Sequence, residues 1–299
     1  MTVSLPQSDS YETNGWETQL LDLEAYLARI DYRGSLTPTL GTLLALMRAH
    51  LAAVPFENLE IATGGEIRLD LESLQDKLVR RRRGGYCHEH NTLFATVLDR
   101  LGFAVEGRSA RMLMGDDERK ITALGHTILV VTVEGRQWLV DVGVGNVGPR
   151  EPVPLEAGAE VRHGRWEYRL ERSPLGYWLL RYRRHDGWFN LYQFSDEPYY
   201  RADYEEHNYL VSHHPDSPFV RRIVAQYNGA EVRHALTDLE LKSFRPGEAP
   251  ELRQISAQEL PSVLRELFGL VLLPEQEAIL LRRAESLAET SSEGEQLGT

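Results

Sequence analysis

The stretch "HTILVVTVEGRQWLVDVG", residues 126–143, contains two short apolar runs separated by a turn signal. Runs rich in Val, Ile and Leu indicate strands, and the glycine in "EGR" favours a tight turn between them. The stretch therefore predicts an antiparallel hairpin in which the start of one strand lies beside the end of the other. His126 stands at that start and Asp141 at that end. We expect the two side chains to meet, because an aspartate flanked by valines is costly when buried without a partner.

The segments on either side of this hairpin differ in their hydrophobic pattern. Residues 20–103 space apolar side chains at helical intervals, as in "ETQLLDLEAYLARI", whereas residues 104–205 run in short pieces rich in Val, Trp and Tyr. The pattern predicts an α+β chain with a helical segment followed by an antiparallel β-barrel or curled sheet. Residues 206–288 mix a loop that enters a helix, short strands and two final helices. Residues 1–19 are predicted to be a loose extension, and residues 289–299 a disordered tail.

Composition and charge exclude several classes of protein. The chain of 299 residues is 42% hydrophobic with a net charge of -12, which is typical of a globular protein and argues against nucleic-acid binding. No segment approaches the ~18 uninterrupted apolar residues of a membrane span, and the N-terminus lacks a secretory signal. A single cysteine excludes an internal disulfide and fits a reducing compartment. We therefore expect a cytoplasmic protein with no nucleic-acid or membrane partner.

Cys87, the only cysteine, lies in "RRGGYCHEHN", residues 82–91. The two glycines before it allow a sharp turn, and the residues after it predict a helix that begins at Cys87. The positive end of a helix favours a thiolate, and its free N–H groups could hold an oxyanion. A thiolate nucleophile needs a base and a group that orients the base. His126 and Asp141 are the candidates, although each of the three residues alone also fits a structural role.

A zinc site is an alternative reading of the same segment. Its ligands would be Cys87, His88 and His90, with His213 and His214 elsewhere. Structural zinc sites usually use C-x-x-C or H-x-x-x-H spacing, which is absent here. We therefore predict no metal, and we expect His88 and His90 to lie at the surface of the helix.

Four segments stand in the order and spacing of the arylamine N-acetyltransferases, which the chain resembles over about residues 20–280. They are "VPFENL" (54–59), "RGGYCHEHN" (83–91), "GHTILVV" (125–131) and "LVDVGVG" (139–145). The later stretches "LYQFSDEPYYRADYEEHNYLVSHHPDSPF" and "LRELFGLVL" continue the similarity.

The resemblance implies a fold and an activity. The fold is a helical bundle with the catalytic cysteine (20–103), a β-barrel with the His and Asp (104–205) and an α/β lid (206–288). The activity is acetyl transfer from acetyl-coenzyme A, a co-substrate, to an arylamine, a hydrazine or an arylhydroxylamine. The reaction is a ping-pong scheme through an acetyl-cysteine. The implied partners are coenzyme A and a small amine or hydrazine acceptor, and homo-oligomer formation is left open.

The resemblance also implies roles for individual residues. The family's catalytic Cys, His and Asp match Cys87, His126 and Asp141. Arg29 and Glu57 match family residues that brace the triad, and an ordinary structural salt bridge is the alternative for this pair. Gly143 and Gly145 match positions near the cofactor, and Phe219 matches a wall of the acyl and amine pocket.

Two departures and two rival activities remain open at this stage. Val144 stands where many members have phenylalanine and Asn146 where many have glycine, which leaves acceptor preference open. Relatives of the family close macrolactam rings by amide formation from a carrier-bound polyketide, and this chain could do the same. A cysteine protease or a transglutaminase would use the same triad for hydrolysis or amide exchange.

Overall fold

A computed structural model describes the backbone of residues 16–296 and the side chains of residues 16–289. Most of the extension predicted at 1–19 therefore lies outside the described residues. So do the last three residues of the tail predicted at 289–299.

The N-terminal third of the chain is helical and packs around one apolar core. Its elements are a 3-10 turn (Thr18–Leu20), α1 (Leu23–Arg29), α2 (Leu40–Ala53), the short strand β1 (Phe56–Glu57), α3 (Leu59–Ala62), α4 (Leu71–Leu74) with a π-helical continuation (Gln75–Arg80), and α5 (Cys87–Arg100). Side chains cap α1, α2 and α4, since Asp22, Thr39 and Asp70 each accept a hydrogen bond from a backbone N–H of the first turn. Helix α5 runs through the core, because every residue from Cys87 to Leu98 is buried.

An antiparallel sheet of eight strands follows the helices. The strands are β2 (Ala104–Met112), β3 (Leu124–Val133), β4 (Arg136–Val140), β5 (Val153–Pro154), β6 (Ala159–His163), β7 (Trp166–Arg172), β8 (Trp178–Arg184) and β9 (Gly187–Phe194). Their order is β5-β4-β3-β2-β9-β8-β7-β6, and the two edge strands lie close together, so the sheet nearly closes into a barrel. The predicted hairpin is β3 and β4, whose register runs from Val133 opposite Arg136 to Leu129 opposite Val140.

The C-terminal part is built on a second sheet. Its elements are α6 (Arg201–His213), α7 (Pro218–Arg221), β10 (Val224–Tyr227), β11 (Arg233–Thr237), β12 (Glu240–Phe244), β13 (Glu251–Gln254), α8 (Leu260–Phe268) and α9 (Pro274–Gln296). The strand order is β1-β10-β11-β12-β13, so strand β1 of the helical region pairs with this sheet. The sequence predicted a loop that enters a helix after residue 203, whereas the helix comes first and the chain then turns into β10. Helix α9 continues to Gln296, into the segment predicted to be disordered.

The predicted α+β fold with a helical bundle and an antiparallel barrel is confirmed. No helix within residues 16–296 combines the length and the apolar composition that crossing a lipid bilayer requires.

Candidate active site

The hairpin and helix α5 bring Cys87, His126 and Asp141 together, as the sequence predicts. His126 Nε2 lies 2.8 Å from Asp141 Oδ2, and both side chains are buried. The imidazole therefore turns Nδ1 away from Asp141, and the neighbouring Cys87 favours the charged form of His126. Cys87 Sγ also lies 3.7 Å from the carbonyl oxygen of Gly125. This is the geometry of a nucleophile, a base and an orienting carboxylate.

The charges of this group stabilise one another. Burial alone would lower the pKa of His126, but the Asp141 carboxylate, followed by the hydrogen bond and charge of Cys87, raises it to about 10. Burial would raise the pKa of Asp141, but His126, Asn91 and the N–H of Gly143 keep it below its usual value. The imidazolium and the carboxylate are therefore the stable forms at neutral pH.

Asn91, which the sequence reasoning missed, locks Asp141 in place. Its amide Nδ2 donates to Asp141 Oδ1 at 3.0 Å and to the carbonyl of Thr127 at 2.6 Å. Its Oδ1 accepts the N–H of Val142 at 3.1 Å. Asn91 lies one helical turn after Cys87, so both side chains leave α5 on the same face. That i,i+4 spacing was the available signal in the sequence.

Gly143 lies directly against the backbone of Cys87. A Cβ at this position would come within 2.7 Å of Cys87 Cα and 2.6 Å of the Asn91 amide nitrogen. A side chain here would therefore push the loop away from the nucleophile. Gly143 also donates its N–H to Asp141 Oδ1 at 2.8 Å, so it serves the triad and does not leave that donor for a phosphate.

The loop that follows β4 has fewer free donors than its glycine content suggested. Gly145 has a φ of 82°, which favours glycine, and begins a 3-10 turn that ends at Val147. The N–H of Asn146 donates to the side chain of Gln226 at 3.0 Å, and that of Gly148 donates back to Gly145. The backbone groups of this loop therefore already have several partners inside the protein.

Phe219 and the two family departures lie around the same region. The Phe219 ring is half-buried, 5.4 Å from the ring of Tyr86 and 5.8 Å from that of Phe56. It therefore contacts Tyr86, the residue that precedes the nucleophile in the sequence. Val144 is buried in the barrel core, and Asn146 is buried beside β10.

Arg29 and Glu57 do not form the salt bridge that was the alternative to a triad-bracing role. Glu57 is completely buried and pairs instead with Arg83, whose Nη2 lies 3.0 Å from Glu57 Oε1. Arg29 donates Nε to the carbonyl of Leu78 at 2.9 Å. Burial and the nearby Arg82 lower the pKa of Arg29 to about 10. Arg29 and Arg83 are both buried, and the sequence does not show which of them packs against Glu57.

A second buried ion pair fixes the start of helix α5. Lys77 Nζ lies 2.7 Å from Glu89 Oε1, and both side chains are almost fully buried. Glu89 Oε2 accepts the N–H of Tyr86 at 3.1 Å, which closes the first turn of the helix just before Cys87. Burial raises the pKa of Glu89 even though Lys77 opposes this. The charged form of Glu89 therefore depends on Lys77.

Lys77→Met should reduce the free energy of unfolding by about 3–5 kcal/mol, because it leaves Glu89 buried without its counter-charge. Urea unfolding followed by circular dichroism measures this. Arg81→Met is the matched control, since Arg81 makes an exposed pair with Asp76 nearby and should cost at most ~1 kcal/mol. The double variant Lys77→Met/Glu89→Gln should recover part of the loss. Equal losses in the two single variants would contradict this account.

His90 belongs to a chain of hydrogen bonds inside the bundle and not to the helix surface. His90 Nε2 lies 3.1 Å from the carbonyl of Pro55, which can only accept, so Nε2 carries the hydrogen. His90 Nδ1 then accepts from His50 Nε2 at 2.9 Å, and His50 Nδ1 accepts from the Tyr26 hydroxyl at 2.8 Å. Both imidazoles are thus held neutral. Burial lowers the pKa of His90 to about 4 and that of His50 well below its usual value.

The chain of hydrogen bonds through His90 and His50 should make the protein less stable in acid. An unfolded histidine binds a proton below about pH 6.5, whereas folded His90 binds one only near pH 4. The stabilisation is therefore present above pH 6.5 and is lost as the pH falls towards 4. His90→Gln should reduce the slope of unfolding free energy against pH in this window by up to ~1.4 kcal/mol per pH unit. Urea unfolding at several pH values tests this, with the exposed His185→Gln as control; an unchanged slope in His90→Gln would overturn it.

His88 was also predicted at the surface and is fully buried. Its Nδ1 lies 2.6 Å from Thr127 Oγ1, and burial, followed by the charge of His126, lowers its pKa to about 3. Both surface predictions are wrong for the same reason: α5 is covered on all sides, which its local sequence does not reveal. Among the described residues, no group of three or more His, Cys, Asp or Glu side chains is arranged to hold a metal ion.

Comparison with known proteins supports a single family. The sequence profile of the N-acetyltransferase family matches residues 39–277. An arylamine N-acetyltransferase of Mycolicibacterium smegmatis is 39% identical over 84% of this chain and 92% of the relative.

Solved structures give the same result. The arylamine N-acetyltransferase of Nocardia farcinica superimposes with a TM-score of 0.84 at 43% identity, over 89% of this chain and 95% of that one. The Mycobacterium marinum enzyme in complex with CoA superimposes with a TM-score of 0.81 at 35% identity, over 87% of this chain and 99% of that one.

Proposed function

The chain belongs to the arylamine N-acetyltransferase family, and from that premise we propose that it transfers acetyl groups by way of Cys87. The donor is acetyl-coenzyme A. The acceptor is the nitrogen of an arylamine or hydrazine, or the oxygen of an arylhydroxylamine. The observation that carries this proposal is the placement of Cys87 at the first residue of α5, next to an imidazole that Asp141 holds from its far side.

In the first half-reaction, Cys87 acts as a thiolate beside the His126 imidazolium. The sulfur attacks the thioester carbonyl, and the first N–H groups of α5, which lack intrahelical acceptors, stabilise the oxyanion. The carbon–sulfur bond to coenzyme A then breaks, and His126 gives its proton to the departing thiolate. The products are acetyl-Cys87, neutral His126 and free coenzyme A.

In the second half-reaction, the amine nitrogen attacks the acetyl carbon on Cys87. Neutral His126 takes the proton that the nitrogen loses, and the bond to sulfur breaks. This restores the thiolate and the imidazolium, so protons balance over the cycle. Arylamines suit this step because their nitrogen is mostly unprotonated at neutral pH. Asp141 holds the imidazole in one orientation through both steps.

Several features support a binding site for coenzyme A. The M. marinum relative was solved in complex with CoA. In this chain, Gly143 and Gly145 keep the loop after β4 free of side chains beside Cys87 and Gln226. Phe219 and Tyr86 supply an apolar wall for the acetyl group or the aromatic acceptor. A nucleophilic thiol must also stay reduced, so we place the enzyme in the cytoplasm.

Release of coenzyme A, with and without an aromatic amine, tests this function. We expect a stoichiometric burst of thiol with acetyl-coenzyme A alone and steady turnover only after an amine or hydrazine is added. Steady release without an amine would indicate a hydrolase. No reaction with acetyl-coenzyme A, together with cyclisation of a tethered amino-thioester, would favour the amide synthase.

A further inference from the structure

Arg233 is a buried cation without an anionic partner. It lies on β11 with 1% of its surface exposed. None of its three guanidinium nitrogens has a hydrogen-bond partner in the part of the chain that the structure describes. A buried, unpaired charge is among the most costly groups in a folded protein.

The aromatic ring beside Arg233 interacts with its charge but does not accept hydrogen bonds from its N–H groups. The guanidinium lies 3.7 Å from the centroid of the Trp166 ring, which covers one of its faces. The N–H groups lie in the guanidinium plane and point away from that face, so stacking leaves them without acceptors. The neighbouring Tyr168 hydroxyl donates to the carbonyl of Gly148 at 2.7 Å, so it can offer Arg233 a lone pair but no negative charge.

A second arginine and a buried, neutral histidine lie near Arg233. Arg150 is half-buried, and burial followed by the charge of Arg233 lowers its pKa. Burial also lowers the pKa of His163 to about 4; Glu151 opposes this shift, while the neighbouring arginines add to it. Glu151 is itself paired with Arg48.

The cluster lies directly behind the loop that follows β4. Asn228 Nδ2 donates to the carbonyls of Gly145 and Gly148, at 3.2 and 3.1 Å. Arg150, two residues after Gly148, donates to the carbonyl of Asn228. The loop therefore faces Asn228 and Tyr168 with backbone carbonyl oxygens. The positive charge beside the loop comes from the side chains of Arg150 and Arg233.

We propose that Arg233, with Arg150 and His163, forms a binding site for a phosphate-type oxyanion. The planar guanidinium offers two parallel donors to such a group, and the positive charge of the neighbouring Arg150 favours its negative charge. The site is distinct from Cys87 and does not depend on acetyl transfer. The oxyanion is either a phosphate group of coenzyme A or a free inorganic anion.

Titration calorimetry of the full chain with inorganic phosphate, in chloride buffer of constant ionic strength, tests the proposal. We expect one binding event in the wild type and at least about tenfold weaker binding in Arg233→Met, because charge-assisted hydrogen bonds are lost. Arg245→Met is the matched control, since Arg245 is an exposed arginine at the end of the neighbouring strand β12, and it should bind phosphate as the wild type does.

Two further variants keep the test decisive if Arg233→Met does not fold. Arg233→Lys retains the positive charge but loses the two parallel N–H donors of the guanidinium, and Arg150→Gln removes the neighbouring positive charge. Both variants should bind phosphate more weakly. Absence of binding by the wild type, or equal binding by wild type and both variants, would overturn the proposal. If coenzyme A displaces phosphate and 3′-dephospho-coenzyme A does not, the site takes the ribose phosphate. If phosphate binds alongside coenzyme A, the site takes a free anion.

Discussion

Asp141→Asn is expected to lower kcat about 10⁴-fold while the protein remains folded, as removal of the orienting carboxylate does in related triads. Asp141 Oδ1 accepts from two donors, the Asn91 amide and the N–H of Gly143, and Oδ2 accepts from His126. An asparagine has only one oxygen, which must stay with the two donors. Its NH₂ group then faces His126 Nε2 and forces that nitrogen to accept.

The reversed tautomer has a specific consequence. With Nε2 as the acceptor, a neutral imidazole carries its hydrogen on Nδ1, the nitrogen that faces Cys87, and it can no longer take a proton from that side. Removal of the carboxylate also removes the main cause of the raised pKa of His126. Steady-state kinetics with acetyl-coenzyme A and an aromatic amine measure the effect. Asp99→Asn, near the far end of α5, is the control. A kcat within tenfold of wild type in Asp141→Asn would contradict the assigned role.

Cys87→Ser should abolish amine acetylation, with a loss of at least about 10⁴-fold. A serine hydroxyl is far less acidic than a thiol, so the neighbouring imidazolium cannot hold it as an anion. The substitution is nearly isosteric, and the loss should therefore occur with little change in thermal stability.

The same residue can be tested by chemical labelling. Because Cys87 is the only cysteine in the chain, every thiol modification reports on this position. Iodoacetamide should add a single group to the wild type and inactivate it in proportion to labelling, and acetyl-coenzyme A should protect it. Activity that survives complete labelling, or a Cys87→Ser variant within tenfold of wild type, would show that the nucleophile lies elsewhere.

The sequence was most informative where local pattern and chemistry agreed. The hairpin of β3 and β4 could be predicted from its apolar runs and its turn, and it placed His126 beside Asp141. The helix that begins at Cys87 followed from the glycines before it and the periodic residues after it. These are short-range features, so the chain near each residue determines them.

Features that depend on packing between distant segments could not be predicted. His88 and His90 looked like surface positions, yet other elements cover α5 from every side, and neither histidine differs locally from an exposed one. Glu57 was matched with Arg29, and only the packing of the bundle reveals that it pairs with Arg83. The positive cluster around Arg233 combines residues from the barrel and the second sheet, whose contact no local pattern indicates.

The roles of Asn91 and Gly143 lie between these cases. Their spacing relative to Cys87 and Asp141 is visible in the sequence, but their use as supports for the carboxylate depends on how α5 packs against the loop after β4. The family resemblance placed Gly143 and Gly145 near the cofactor. In the structure, Gly143 allows a close approach to Cys87, and several of the loop's backbone groups form hydrogen bonds within the protein.

Intact-protein mass spectrometry after incubation with acetyl-coenzyme A, without an amine, tests the central claim most directly. The account predicts that wild type gains a single acetyl group, that Cys87→Ser gains none, and that addition of an aromatic amine or hydrazine removes the group from wild type. Absence of the adduct on wild type, or an adduct that persists in Cys87→Ser, would contradict acetyl transfer through Cys87.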